Sequence, residues 1–309
     1  MTSYCIFQEP WWLEAVAENA WRSLEVVRND QIVARMPIVL SRKFGFRVIR
    51  QPPLTPTLGP WIRPSTADPA KRIAREKVLF NDLIDQLPAW DYFEVSFHHG
   101  LTNWLPFYWR GFEQTTRYTY ILEDVFDMER VWCGLQESVR RNIRKARKVL
   151  SVRTDLSVDR VLDLTDLTFL RQGHRLTFKR DLVRRIDAAC ATRDARRMFF
   201  AEDAKGQVHA ALYVVTDAEC AYYLLGGADP KFRGSGAQNL LLWEAIRFAS
   251  ERGVKFDFEG SMIEPIERVF RAFGALQAPY LQVYGAKPVA KILLQTLPRA
   301  LFRRLAPYG

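Results

Sequence analysis

The spacing of hydrophobic and polar positions predicts a chain that mixes strands with helices. In the first part of the chain, short stretches alternate between apolar and polar residues, and longer stretches repeat every three or four residues. The turn residues Asn29-Asp30 join two of the short stretches into a predicted hairpin. The elements predicted up to residue 122 are a helix over 10–20, strands over 23–28, 32–40 and 47–51, a helix over 71–87, a strand over 91–97, a helix over 101–110 and a strand over 114–122.

The same order of elements returns in the second half of the chain. Ile32–Ile38 aligns with Val208–Val214, and Phe93-Glu94 aligns with Phe256-Asp257. These matches predict two copies of a mixed α/β unit, each with an antiparallel hairpin followed by a strand, a helix and a strand. The alternative is two unrelated α/β domains that share only this alternation. The elements predicted here are strands over 198–202, 208–215 and 219–225, a helix over 238–252, a strand over 254–259, a helix over 265–273 and a strand over 280–284.

Between the two copies, the pattern predicts helices over 137–150, 158–176 and 182–193. The first of these has an apolar stripe that runs from Val139 to Leu150, and a second stripe of arginines. The predicted organisation is an N-terminal unit over 1–124, a helical connector with the basic helix over 125–196, a C-terminal unit over 197–286 and a basic amphipathic tail over 287–309.

The chain has 309 residues and a formal net charge of +10. Residues 137–153 contain seven cations and a single acid, and residues 287–309 contain five cations and no acid. The basic helix therefore predicts a phosphate-bearing partner, and the tail predicts contact with an anionic membrane surface. The alternatives are a solvated helix face and a tail that packs on the second unit with its cations outward.

Composition argues against several classes of protein. The four cysteines are scattered with no CxxC pair, so neither a zinc site nor a disulfide framework is expected. The amino terminus lacks a basic and apolar leader, and no apolar run is long enough to span a bilayer. We therefore expect a cytoplasmic protein without a metal, in which the four histidines are structural or lie at the surface.

The glycine-rich segment from Gly226 to Ala237 is the most informative part of the sequence. It follows a predicted strand and opens a predicted helix. Glycines in this position let backbone N–H groups approach a phosphate, and the amino end of the helix adds partial positive charge. The alternative is a glycine-rich turn with a purely structural role.

Arg233-Gly-Ser-Gly-Ala-Gln238 resembles the acyl-CoA pyrophosphate loop of the GNAT acyltransferases, with Gln238 where that pattern has Gly or Ala. The segments QEPWWLEAV, ESVRRNIRKARK, LLLWEAIRFA and FDFEGSMIEPIERVFRAFGA resemble the BioF-like (CelD-like) acetyltransferases and the Fem-type peptidoglycan aminoacyltransferases. The resemblance implies an α/β fold of tandem GNAT-like units, each a mixed, largely antiparallel sheet flanked by helices. It assigns donor phosphate binding to Arg233, Gly234, Ser235, Gly236, Ala237 and Gln238.

The resemblance also implies an activity, which is transfer of an acyl group, acetyl in the simplest case, from acyl-CoA to an amine acceptor. A small-molecule or lipid-linked acceptor in cell-envelope or polysaccharide metabolism is expected, with the protein at the inner membrane face through 287–309. The alternative donor is aminoacyl-tRNA. A further alternative is a non-catalytic module that binds anions or membranes.

Candidate catalytic residues lie near the end of the predicted strand 254–259. Asp257 and Glu259 share one face of an extended chain, where a carboxylate can accept the proton of an attacking amine. The alternative is that each pairs with Arg268 or Arg271. The resemblance to GNAT enzymes adds Tyr284, with Tyr223, as a proton donor to the leaving thiolate, although both tyrosines lie in apolar strands where core packing is the alternative role.

Candidate substrate-binding residues are all arginines. Arg271 occupies the lysine position of the Fem-type Phe-Lys…Phe-Gly segment, where its guanidinium keeps the charge but cannot act as a neutral amine. Its expected role is therefore electrostatic. Arg140, Arg144 and Arg147 form the charged stripe of the basic helix, where they are expected to meet phosphates of the donor or the acceptor.

Overall fold

The computed structural model describes residues 2–288 and 290, which form two compact units. The first unit contains residues 2–117 together with 279–288 and 290, and the second contains Tyr118–Ala278. The domain boundaries predicted from the sequence, after residues 124, 196 and 286, divide the chain differently from these two units. The reason is that the last strand pairs within the first unit, whereas the helical connector packs within the second.

The helices and strands are numbered along the chain. The strands are β1 Trp21–Arg28, β2 Gln31–Lys43, β3 Phe46–Arg50, β4 Trp61–Ile62, β5 Tyr92–Ser96, β6 Glu113–Leu122, β7 Leu150–Arg153, β8 Arg196–Asp203, β9 Val208–Thr216, β10 Cys220–Ala228, β11 Lys255–Asp257 and β12 Leu276–Ala286. The helices are α1 Pro10–Ala17, α2 Pro69–Asp85, α3 Leu105–Trp109, α4 Met128–Gly134, α5 Glu137–Ala146, α6 Val158–Arg171, α7 Arg180–Ala191, α8 Ala237–Glu251 and α9 Glu264–Arg271.

In the first unit, the strand order is β1-β2-β3-β5-β12, and β4 lies beside β2. Only β3 and β5 run parallel, and α2 is the helix that connects them. This helix begins at Pro69, where the missing amide hydrogen costs nothing, and it buries Leu79, Phe80 and Leu83 at helical spacing. The sheet and α2 thus share one apolar core.

In the second unit, the strand order is β6-β11-β10-β9-β8-β7. Only β10 and β11 run parallel, and α8 connects them. Every residue of β9 is buried, because α8 packs against Ala210 and Leu212 on one face and α7 approaches Tyr213 on the other. The prediction of mixed, largely antiparallel sheets flanked by helices is confirmed.

Several predicted boundaries are wrong. The helix predicted over 137–150 ends at Ala146, and Leu150–Arg153 instead forms β7 beside β8. Leu150 is buried as the stripe predicted, but as a strand residue. The helix predicted from residue 101 begins at Leu105, and the strand predicted over 254–259 ends at Asp257.

The basic tail predicted over 287–309 lies outside the described residues except for positions 287, 288 and 290. Across the described chain, no helix combines the length and the apolar character needed to cross a bilayer.

Candidate active site

The turn between β10 and α8 has the backbone geometry of an anion cradle. Gly236, immediately before the helix, has a φ of 81°, in the left-handed region. A Cβ atom here would lie 2.4 Å from the carbonyl oxygen of Asn142 in α5, so only glycine allows this close approach. The Ala237 N–H donates to the Ser235 hydroxyl at 3.3 Å, whereas the next two amide groups of α8 have no carbonyl partner within the helix and are available to an anion.

A cavity of about 160 Å³ opens beside this turn. Its walls include Gly234–Asn239 from the turn and the first residues of α8, Arg171 from the end of α6, and Arg233. Neither guanidinium forms an ion pair with another residue in the described part of the chain. Two uncommitted cations and a helix amino terminus therefore surround one space, which favours a phosphate group.

Helix α5 holds the turn in place. The ammonium of Lys145 donates a hydrogen bond to the carbonyl oxygen of Gly234, with a Nζ–O distance of 2.7 Å. The Asn142 side-chain amide donates to the Asn239 side chain of α8 at 3.3 Å. Asn142 thus lies in the wall of the cavity and Lys145 holds the adjacent turn, and neither was among the predicted site residues.

The three arginines predicted to bind substrate have partners within the protein. Arg140 and Arg144 both contact Glu137, at 2.9 and 3.1 Å. The guanidinium of Arg147 lies 3.0 Å from the carboxylate of Glu244 in α8. A count of charges along one helix cannot include an acid 97 residues away. Their contact with substrate stays a prediction.

His209 is a cavity residue that the sequence analysis assigned to structure or surface. Its ring stacks on Phe232, with centroids 3.8 Å apart and planes 2° apart. Its Nε2 lies 3.3 Å from a carboxylate oxygen of Asp203, and its Nδ1 is buried with no hydrogen-bond partner in the described chain. A single histidine in an apolar strand carried no sequence signal for this position.

Asp257 and Glu259 come together where β11 ends. Asp257 is only 4% exposed, and its carboxylate accepts hydrogen bonds from the Thr119 hydroxyl and from the backbone N–H of Glu259. Glu259 has a φ of 59°, and a Cβ atom on the following Gly260 would lie 2.0 Å from the Tyr118 carbonyl oxygen. A non-glycine residue in this region is strained, which is common at functional sites.

Burial controls the electrostatics of the two carboxyl groups. Burial raises the pKa of Asp257 to about 6, although the hydrogen bonds from Thr119 and Glu259 act in the opposite direction. Burial, and then the negative charges of Asp257 and Asp217, raise the pKa of Glu259 well above its ordinary value. A carboxyl group with such a pKa can take up a proton near neutral pH, as a general base must.

The alternative in which these carboxylates pair with arginines of α9 is wrong. Arg271 instead contacts Glu267 at 2.9 Å, and Arg268 lies 3.8 Å from Glu264. Within the described residues, neither Asp257 nor Glu259 forms an ion pair. An electrostatic role of Arg271 toward a substrate stays a prediction.

The two candidate tyrosines lie in different units. Tyr223 belongs to β10, packs edge-on against Phe270 and has a pKa that burial raises to about 12. Tyr284 belongs to β12 in the first unit, where it lies opposite Glu94, and its hydroxyl is 3.5 Å from a Glu113 carboxylate oxygen. The proton-donor role of either tyrosine is untested by these contacts.

Strand β10 connects the cradle to the carboxylates. Its pairing with β11 ends at Tyr222, which lies opposite Asp257, and a bulge follows between Tyr223 and Leu225. The strand then continues to Ala228 at the cavity. Six residues of extended chain span about 20 Å, so the two parts of the site are separated by about that length of strand.

Comparison with known proteins agrees with this geometry. Residues 135–262, which contain both the cradle and the carboxylates, match the family described as "Acetyltransferase (GNAT) domain". No curated protein matches the chain.

Solved structures match nearly the whole chain. One is the crystal structure of FemX, with a TM-score of 0.69 and 13% sequence identity, over 94% of this chain and 94% of that chain. Another is L-PGS from Bacillus licheniformis, with a TM-score of 0.52 and 11% identity, over 93% of this chain and 96% of that chain. At these identities the likeness shows the fold, which confirms the predicted resemblance. Residues 135–262 of the chain therefore match a GNAT acetyltransferase domain, and the chain has the fold of FemX.

Proposed function

We propose that this protein is an acyltransferase that moves an acyl group, acetyl in the simplest case, from acyl-CoA to an amine acceptor. The observation that carries the proposal is the cavity at the start of α8, where Gly236, Arg233 and Arg171 surround a space suited to phosphate. The donor pyrophosphate would bind to the segment Arg233–Gln238. Backbone N–H groups and cations supply this binding without a metal ion.

The pantetheine arm of the donor fits the path between the two parts of the site. Beyond Tyr222, no strand of the described chain pairs with the edge of β10 that faced β11. The Thr168 hydroxyl bonds both backbone groups of Ala228, so the groups available to an extended amide chain lie before Ala228. The arm is an extended chain of a length comparable to the roughly 20 Å of strand between Tyr222 and Ala228. This path would bring the thioester toward Asp257 and Glu259.

In the proposed acyl transfer, Glu259 acts as the base that accepts a proton from the acceptor. The acceptor arrives as an ammonium and must lose a proton before its nitrogen can attack the thioester carbonyl carbon. Glu259 accepts this proton, the free amine forms a bond to the carbonyl carbon, and the carbon–sulfur bond breaks. The newly bonded nitrogen then releases a second proton, which balances the proton taken up by the thiolate and leaves a neutral amide. The departing thiolate takes up a proton, for which Tyr223 of the same unit is the proposed donor, whereas a donor role of Tyr284 stays a prediction from the resemblance. Asp257 raises the basicity of Glu259 through its charge.

Titration calorimetry with acetyl-CoA tests the donor. We expect binding by the wild-type chain, and an affinity about tenfold lower for Arg233→Ala because one charge-assisted contact is lost. Arg130→Ala is the matched control, since Arg130 pairs with Asp124 at the exposed surface of the same unit. No binding by the wild type, or equal affinity for all three proteins, would overturn the acyl-CoA proposal.

A second candidate donor is aminoacyl-tRNA, and the FemX fold over 94% of this chain is the observation that favours it. A filter-binding assay with charged tRNA at increasing salt distinguishes the donors, because contacts to a nucleic-acid backbone weaken steeply with salt. The acceptor class stays as proposed, a small-molecule or lipid-linked amine of the cell envelope or of polysaccharide metabolism. If neither donor is used, the non-catalytic anion- or membrane-binding module is the remaining proposal.

A further inference from the structure

We propose that the hairpin tip between β2 and β3 in the first unit docks onto an anionic phospholipid surface. Phe44 is at this tip and is 79% exposed, which is the greatest exposure among the large hydrophobic residues of the described chain. An aromatic ring on a protruding turn can enter the boundary between lipid headgroups and acyl chains.

The backbone of the tip indicates that the ring serves a purpose other than folding. Phe44 has a φ of 50° and Gly45 a φ of 84°, so both residues are left-handed. Such two-residue turns prefer Asn-Gly, and a bulky residue in the first position is strained. Phe44 makes the turn less favourable while it exposes its ring to solvent. A binding role for the ring accounts for both observations.

Cationic residues flank Phe44 along the chain. Arg42 and Lys43 precede it and Arg47 follows it, whereas no acid lies between residues 31 and 67 of the sequence. Arg47 forms an ion pair with Asp91 at 2.9 Å, so these two charges cancel, and Arg42 and Lys43 supply the net charge of the tip. The hairpin tip therefore presents positive charge to an anionic lipid headgroup.

The end of β12 lies close to Asp91, the residue that pairs with Arg47 of the hairpin. The backbone N–H of Lys287, just past β12, donates to the carbonyl oxygen of Asp91 at 2.9 Å, and its ammonium lies 4.6 Å from the Trp90 ring centroid. Asp91 thus contacts both the hairpin and the start of the segment 287–309, which contains five cations and no acid. The charge of that segment begins beside the tip.

These features together favour a membrane over a second copy of this chain. A symmetric dimer through this edge would place Arg42 and Lys43 near the same cations of the other copy, and like charges repel. An anionic bilayer complements the cations and accepts the Phe44 ring at the same time. A lipid-linked acceptor would be met at such a surface, but the docking does not depend on the proposed activity.

Vesicle flotation of the full chain tests the proposal. We expect binding to vesicles of phosphatidylcholine mixed with phosphatidylglycerol, and little binding to phosphatidylcholine alone. Phe44→Asn should weaken binding about tenfold, because a buried aromatic contact is lost. The variant creates the preferred Asn-Gly turn, so an unchanged or raised melting temperature shows that the loss is not due to misfolding. Arg42→Gln should also weaken binding, and its difference from the wild type should grow as the salt concentration is lowered, because charge contacts are then less screened.

Phe126→Asn is the matched control, since Phe126 is 67% exposed in the second unit and should leave binding unchanged. Three results would overturn the proposal. They are no binding by the wild type, equal binding by Phe44→Asn and the wild type, and equal binding to neutral and anionic vesicles. The second result would assign membrane binding to another part of the chain, such as the segment 287–309.

Discussion

Each unit contains one pair of parallel strands, and a carboxylate occupies the matching place in both. In the first unit, Glu94 of β5 lies opposite Arg50 of β3, and their charged groups are 3.1 Å apart. In the second unit, Asp257 of β11 lies opposite Tyr222 of β10, and no cation of the described chain pairs with it. The same strand–helix–strand pattern thus places a carboxylate in two different electrostatic environments.

The two units also differ in the connection between the first strand of the parallel pair and the helix that follows it. Between β3 and α2, the chain contains five prolines and the short strand β4, and a sixth proline, Pro69, begins the helix. Between β10 and α8, the chain makes a tight turn through Gly234 and Gly236. An ion pair thus neutralises the carboxylate of the first unit, whereas the carboxylate of the second unit has no cation partner in the described chain, as a proton acceptor requires.

The largest effect is expected from Glu259→Gln, which keeps the shape of the side chain but removes the proton acceptor. We expect the catalytic efficiency of acyl transfer to fall by about 10²–10⁴-fold, which is the usual contribution of a general base. Steady-state kinetics with acetyl-CoA and an amine acceptor measures this. The melting temperature should not fall, since Glu259 forms no ion pair within the described residues that the substitution could remove. A variant with wild-type kinetics would remove Glu259 from the mechanism.

In the first unit, Glu94→Gln should act on stability rather than on catalysis. The side chains of Arg50 and Glu94 are only 10% and 13% exposed, so loss of one partner leaves a buried charge unpaired. We expect the free energy of unfolding to fall by about 3–5 kcal/mol. Chemical denaturation measures it, and Arg50→Met combined with Glu94→Leu should recover most of the loss. No loss in the single variant would contradict the contrast between the units.

Asp257→Asn should have the opposite sign, and its effect should depend on pH. The pKa of Asp257 is raised from 3.8 to about 6 in the folded chain, so the stability that this carboxyl group contributes below about pH 4 is lost as the pH rises through 6. Asparagine does not titrate. Relative to the wild type, the variant should therefore gain stability with pH, by at most about 3 kcal/mol near neutrality.

Two measurements check this prediction. Denaturation of both proteins between about pH 4 and pH 7 should give curves that diverge across the window set by the raised pKa of Asp257. The acidic limb of the activity profile should also move to lower pH in the variant, because the charge of Asp257 no longer raises the pKa of Glu259. Parallel stability curves would show that Asp257 is not destabilised by burial.

The smallest effect is expected at the cradle, from Gly236→Ala. Both the φ of 81° and the 2.4 Å approach to the Asn142 carbonyl oxygen oppose a Cβ atom, so we expect a loss of about 1–3 kcal/mol in stability. Acetyl-CoA affinity should fall with it. Gly234→Ala is the control, because its φ is 87° but a Cβ would have no neighbour within 4 Å. If both variants behave alike, the packing of α5 does not shape the cradle.

The sequence predicted most of the elements because their hydrophobic periods are local. It also predicted the cradle, since Gly234 and Gly236 between a strand and a helix are readable within a few positions. It misplaced the end of α5, because Leu150 is apolar whether it continues a helical stripe or starts a strand. Burial alone does not distinguish the two.

The partners of the charged groups could not be predicted. Thr119 bonds to Asp257 across 138 residues of sequence, and Arg147 meets Glu244 across 97. A carboxylate near a strand end looks the same in sequence whether an arginine or a tyrosine lies opposite. The alternative that Arg268 or Arg271 neutralises the pair was reasonable from sequence, and only the position of α9 excludes it.

By itself, the sequence determined the repeated α/β units, the glycine-rich cradle and the presence of two carboxylates at one strand end, because each depends on neighbours along the chain. The tertiary structure alone decided which charges are neutralised. It pairs Glu94 with Arg50, leaves Asp257 and Glu259 without a cation in the described chain, and places Arg171 beside the cradle. The physical reason is that the charge state of a buried group depends on atoms brought near it by folding, whatever their distance in sequence.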